Sequence, residues 1–171
     1  YCHLVTDVTG SDLSVEEMQQ QTEQQREKDM EDMKVLAQKN PGIGQKCANY
    51  QLPTEDVKLI LQDLQLKMEK DFPKAPQVAY TVKSVHPSLE EYTAPAFYLT
   101  PPIDDISQNC IYINESKGDE KLKLYTTLAH EGFPGHLYQN VMERSSGLAP
   151  VRSLFGSSGY AEGWATYVEM Q

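Results

Sequence analysis

Apolar residues recur at three- and four-residue spacing between positions 57 and 68, and this period predicts a helix with one core-facing stripe. The stripe consists of Val57, Ile60, Leu61, Leu64 and Met68. Thr54 is a suitable cap for this helix, which is expected to run to about Asp71. The pattern is typical of a helix that packs on a hydrophobic core.

A longer helix is predicted earlier in the chain, from a capping box formed by Ser14 and Glu17 to the turn at Asn40. No proline or glycine interrupts this stretch, but its apolar positions are sparse. Most sides of the helix are therefore expected to face solvent. Residues 1–13 are polar and are expected to be irregular.

Three short β-branched and aromatic segments predict a small sheet; they cover residues 78–82, 96–99 and 110–114. Helix is expected again from about Asp119 to Arg144, with a break at Pro134. A loop rich in glycine and serine follows over 145–159, and residues 160–171 predict a last helix. The predicted fold class is α+β, predominantly helical with about three short strands.

Two regions are expected within one structural unit of a larger protein: a helical region over residues 1–76, and the sheet with its following helices over residues 77–171. The chain begins at Tyr1 rather than at methionine, and Gln171 falls inside a predicted helix. These features favour a piece of a longer chain.

The composition excludes some classes of function. The 171 residues carry a formal net charge of -10, which would repel a phosphate backbone, so no nucleic-acid partner is expected. No apolar run approaches the roughly 20 residues of a membrane span. Cys2, Cys47 and Cys110 are too few and too far apart for a disulfide scaffold, and they leave the redox compartment open.

The segment from His130 to His136 carries the candidate chemistry. A histidine followed by glutamate on a helix, with a second histidine downstream, is the pattern of a zinc hydrolase in which Glu131 is the general base. The spacing is unusual, since six residues of straight helix rise about 9 Å. Pro134 and Gly135 could bend the chain enough to bring the two imidazoles together.

A catalytic zinc site needs a third protein ligand, and Glu162 at the start of the last helix is the best candidate. Glu169 is an alternative ligand or a partner that holds an imidazole N–H. Trp164 is interpreted as a core anchor rather than a substrate contact. Tyr160 or Tyr167, or a residue beyond the chain, could stabilise an oxyanion.

Two motifs resemble a known family: His130-Glu131-x-x-Pro134-Gly135-His136-x-x-Gln139, and Glu162-Gly163-Trp164-Ala165-x-Tyr167-x-Glu169. The segment Ile111–Asn114 supports them. Together they resemble the bacterial proteins grouped as domain of unknown function 885 (DUF885), which are similar to gluzincin-type zinc metallopeptidases. The resemblance covers about residues 78–171, and the first 70 residues match only as a generic helical region.

The resemblance implies a zincin-like core, incomplete at the C-terminus, that binds Zn²⁺ through His130, His136 and Glu162, with Glu131 as catalytic base. It also implies that Ile111–Asn114 lies beside a cleft where an extended peptide could add as a strand. Homologues of this kind are often exported or lipid-anchored.

The resulting prediction is a zinc-dependent peptidase acting on a peptide or protein substrate. A non-catalytic extracytoplasmic binding or scaffold module that retains the fold is the alternative from another class. A zinc hydrolase acting on a non-peptide amide would share the site. The sequence specifies neither an oligomeric state nor a compartment.

Overall fold

The computed structural model describes residues 1–52, 54–105, 107–117 and 121–171. Within these ranges the helices are α1 (Cys2–Thr9), α2 (Val15–Lys39), α3 (Ile43–Ala48), α4 (Val57–Met68), α5 (Lys121–Glu131), α6 (His136–Ser145) and α7 (Ser158–Glu169). The strands are β1 (Tyr80–Ser84), β2 (Ala96–Leu99) and β3 (Asn109–Ile113). Short 3-10 turns cover Pro87–Tyr92, Glu115–Lys117 and Pro150–Leu154. This order confirms the predicted α+β class.

The first compact unit spans Tyr1–Gln51 and contains α1 to α3. The capping box is confirmed: Glu17 N–H donates to the Ser14 hydroxyl at 3.1 Å, and Ser14 N–H donates to the Glu17 carboxylate at 2.8 Å. None of the residues of α2 is buried, as its sparse apolar pattern predicts. The expectation that residues 1–13 are irregular is wrong, because α1 forms there and ends at Gly10, whose φ is 69°.

The second compact unit spans Leu52–Gln171 and contains the core. Helix α4 buries the predicted stripe, except that Val57 is only partly buried. Its cap is Asp56 rather than Thr54, since the Asp56 carboxylate accepts the N–H groups of Lys58 and Leu59. The unit therefore begins before the predicted boundary at residue 76, because α4 packs against α5 within this core.

Strand β3 lies at the centre of the sheet that the described residues form, between β1 and β2. It pairs in parallel with β1 and antiparallel with β2, and Ile111 is opposite both Val82 and Tyr98. The position of β2 agrees with the prediction, whereas β1 begins two residues later and β3 one residue earlier than predicted. The central Ile111 is fully buried in the core with Leu128.

Helices α5, α6 and α7 pack on one another, and α5 also contacts β2. The break predicted at Pro134 is confirmed, because α5 ends at Glu131 and α6 begins at His136. The predicted start of α5 at Asp119 lies outside the described residues. No helix in the described part of the chain combines the length and the apolar character needed to cross a membrane.

Leu61 and Leu66 lie on the same helix, and one is 0% exposed while the other is 69% exposed. Leu61→Ala is expected to lower the free energy of unfolding by about 2–5 kcal/mol, because it leaves a cavity in the core. Leu66→Ala, the matched control, is expected to change it by less than about 0.5 kcal/mol. Urea unfolding followed by circular dichroism measures both, and equal losses would contradict this assignment of the core.

Candidate metal centre

A short turn over residues 132–135 separates α5 from α6, and across it the two histidines come together. Tyr138 N–H donates to the Gly132 carbonyl at 3.1 Å, and Gln139 N–H donates to the Gly135 carbonyl at 2.9 Å. The imidazole centroids of His130 and His136 are 4.7 Å apart, with their planes at 87°. The structure therefore shows the approach that a straight helix would prevent.

Glu162, on α7, faces both imidazoles. One carboxylate oxygen is 3.5 Å from Nε2 of His130, and the other is 3.6 Å from Nε2 of His136. Ligand atoms that share one zinc ion at about 2.1 Å lie about 3.4 Å apart, and each of these two distances is close to that value. The Glu162 side chain is 64% exposed and the histidines are 20% and 17% exposed, which leaves one side of the cluster open to solvent.

Glu131 lies beside the same cluster. Its carboxylate and the ring nitrogens of His130 and His136 offer atoms that all lie within 4.8 Å of one another. One Glu131 oxygen accepts the backbone N–H of Tyr98 at 2.8 Å. Two carboxylates, Glu131 and Glu162, therefore lie near the imidazoles, and the division of the ligand and base roles between them stays a prediction.

Burial raises the pKa of the Glu131 carboxyl above its ordinary value, and the negative charge of Glu162 acts in the same direction. The N–H of Tyr98 and the two imidazoles oppose this rise. A carboxyl with a raised pKa takes up a proton more readily than an ordinary one.

The carboxylate of Glu169 contacts the ring nitrogen of His130 that does not face Glu162. Its carboxylate oxygen is 2.9 Å from Nδ1, and this nitrogen is distinct from the one that faces Glu162. A carboxylate at Nδ1 favours the tautomer in which Nε2 carries the lone pair. Of the two roles left open by the sequence, the geometry therefore favours an orienting partner over a ligand.

Tyr98 was missed by the sequence analysis, because a backbone N–H carries no sequence signal. Its hydroxyl donates to the Asn109 side chain at 2.6 Å, and burial raises the pKa of this phenol. Tyr160 and Tyr167 are 66% and 55% exposed on α7. Their suggested role with an oxyanion stays a prediction.

The segment that was predicted to lie beside a peptide-binding cleft, Ile111–Asn114, does not form an edge strand. Ile111–Asn114 contributes to β3, which is paired on both sides and has no free edge for a peptide. The edge strand next to the cluster is β2, since Tyr98 belongs to it and donates to Glu131.

A cavity of about 430 Å³ lies between the end of α4, residues 74–78 and α6. Phe133, Leu137 and Val141 contribute to its lining, whereas none of the predicted site residues does. The predicted site residues and this cavity therefore lie at different places in the second compact unit.

Residues 1–170 match the sequence model of the DUF885 family, which is described as bacterial proteins of unknown function. The chain belongs to the DUF885 family. The match includes the helices of the first unit, which the sequence motifs had linked to the family only as a generic helical region. No curated protein matches this DUF885 chain.

A solved structure with the same fold is that of a protein described as a putative lipoprotein from Colwellia psychrerythraea. The TM-score is 0.74 and the sequence identity is 23%. The similarity covers 98% of this chain and 32% of the other, so the chain spans about a third of the length of that protein.

The lack of space around Gly135 predicts the effect of replacing this glycine by alanine. A Cβ atom on Gly135 would lie 1.7 Å from the backbone oxygen of His130, although the φ of Gly135 is an ordinary -78°. Gly135→Ala is therefore expected to destabilise the protein by more than about 3 kcal/mol, because backbone must move.

The matched control is Gly163→Ala on α7, where a Cβ would meet nothing within 4 Å. This change is expected to be neutral or to stabilise by up to about 1 kcal/mol, since alanine favours helix. Thermal unfolding of both variants checks the pair. A Gly135→Ala protein as stable as Gly163→Ala would show that the turn has another conformation.

Proposed function

We propose that this DUF885 chain is the metal-binding part of a zinc-dependent hydrolase that cleaves peptide bonds. The observation that carries this proposal is the convergence of His130, His136 and Glu162 at zinc-compatible spacing. Two imidazoles and a carboxylate form a donor set common in catalytic zinc sites, where one position stays open. The resemblance of the motifs to gluzincin-type metallopeptidases supports the same conclusion.

A bound zinc ion would supply a Lewis acid that lowers the pKa of a coordinated water toward 7 and polarises a carbonyl. Glu131 would accept a proton from the attacking water and deliver it to the leaving amine, as the bond from water oxygen to carbonyl carbon forms and the C–N bond breaks. Glu169 would keep Nε2 of His130 directed at the ion. Tyr160 or Tyr167, or a residue beyond the chain, would donate to the oxyanion.

We assign substrate binding to the edge of β2. An extended peptide can add to an exposed strand edge through backbone hydrogen bonds. Tyr98 N–H already joins β2 to Glu131, so a peptide lying along β2 would pass close to the proposed base. Phe97 stacks on Tyr112 at 5.1 Å, which contributes to the rigidity of this edge.

An extracytoplasmic or lipid-anchored location of the whole protein is part of the proposal. Its support is the fold shared with the protein described as a putative lipoprotein from Colwellia psychrerythraea, which is about three times longer than the part covered here. A hydrolase of non-peptide amides would use the same residues and differ in the pocket. A binding module without activity would need no stoichiometric zinc.

Removing Glu162 tests the ligand set. Glu162→Ala is expected to weaken zinc binding by more than the roughly 10–100-fold that loss of an outer partner costs, because a direct ligand is lost. Glu143→Ala removes an exposed carboxylate from α6 and serves as the matched control, with affinity expected to be unchanged. Calorimetric titration with zinc measures both. Unchanged stoichiometry and affinity in Glu162→Ala would remove Glu162 from the site.

Replacing Glu131 by an amide separates metal binding from turnover. Glu131→Gln is expected to retain zinc but to lose about 10²–10⁴-fold in kcat, since the amide cannot accept the proton. Cleavage of a quenched fluorescent peptide library, with zinc content measured on the same samples, provides the readout. Full residual turnover would refute the role of Glu131 as base. Absence of stoichiometric zinc in the unaltered protein would instead favour the binding module.

A further inference from the structure

Trp164 connects α7 with the turn between α5 and α6. Its indole N–H donates to the carbonyl oxygen of Pro134 at 2.8 Å. Pro134 is buried in the turn that separates His130 from His136, while Trp164 follows Glu162 on α7. One hydrogen bond therefore connects the segment that carries the histidines with the helix that carries the carboxylates.

Aromatic neighbours restrict the orientation of this indole. Phe72 meets it edge-on, with ring centroids 5.7 Å apart, and Tyr138 stacks on it with centroids 6.4 Å apart. An indole held by two rings has little freedom to rotate, so its N–H keeps a defined direction. The sequence indicates the packing role of Trp164 but not the hydrogen bond that its N–H donates.

The hydrogen bond of Trp164 spans the same two segments as the contacts of Glu162 with the histidines. The oxygens of Glu162, on α7, lie 3.5 Å and 3.6 Å from the two Nε2 atoms of the histidines on either side of the turn. Zinc tolerates only small departures from a bond length of about 2.1 Å. A shift of α7 by a few tenths of an ångström would therefore be felt in the affinity for the metal.

We propose that Trp164 is a positioning residue for the metal: through the Pro134 carbonyl it holds the turn at the distance from α7 at which both histidines and Glu162 can bind one ion. This inference rests on the proposed zinc site. Trp164 itself contacts neither metal nor substrate in this role.

The test removes the donor while keeping the ring packing. Trp164→Phe and replacement of Trp164 by β-(3-benzothienyl)alanine, which retains two fused rings but has sulfur in place of the N–H, are each compared with the unaltered protein. Both are expected to weaken zinc binding by roughly tenfold or more, as loss of an outer partner does. Tyr112→Leu, the matched control, removes an aromatic side chain that stacks on Phe97 rather than on Trp164, and zinc affinity is expected to stay within about twofold.

Three measurements on the purified protein distinguish the outcomes: calorimetric zinc affinity, the visible spectrum of the Co²⁺-substituted form, and the Tm without metal. The donor-free variants are expected to shift the Co²⁺ bands, and Tyr112→Leu is expected to lower the Tm without shifting them. If the benzothienyl variant binds zinc as tightly as the unaltered protein and with the same Co²⁺ spectrum, the inference is overturned. If the unaltered protein takes up no stoichiometric zinc, the proposed function fails instead.

Discussion

The imidazoles of His130 and His136 come together only because the helix is interrupted between the end of α5 and the start of α6. The turn is so tight that no side chain fits at Gly135, where a Cβ would meet the carbonyl oxygen of His130 at 1.7 Å. Along a straight helix the two histidines would be separated by about 9 Å of rise. The missing side chain at one position is thus the condition on which the whole cluster depends.

The second requirement is a single helix that brings carboxylates to both nitrogens of one imidazole. Glu162 and Glu169 lie on α7, and they approach Nε2 and Nδ1 of His130 respectively. With Glu131, three carboxylates surround two imidazoles, so negative charge is concentrated there. A divalent cation would compensate this charge, which gives the carboxylates an electrostatic reason to be together.

The sheet has a different part in this arrangement from the one its sequence suggested. β3 supplies core residues, and the edge strand β2 reaches the cluster through the backbone of Tyr98. Membership of DUF885 accounts for the chain from residue 1 to 170, including helices that bury none of their own residues. The fold is shared with about a third of the longer Colwellia psychrerythraea protein.

Local signals were enough to predict much of the chain. The capping box at Ser14, the apolar stripe of α4 and the break at Pro134 each depend on neighbouring residues, so they could be read from the sequence. The pairing order of the strands could not, because register and neighbours are decided by contacts between distant segments.

The candidate site, too, could be predicted from the sequence only in part. The sequence alone determined which residue types were available: two histidines and the carboxylates of Glu131 and Glu162. Only the tertiary structure decided which nitrogen Glu169 approaches, that Tyr98 N–H binds Glu131, and that the indole N–H of Trp164 donates to Pro134. These contacts join residues far apart in the chain, and a distance across the fold depends on how all the intervening elements pack.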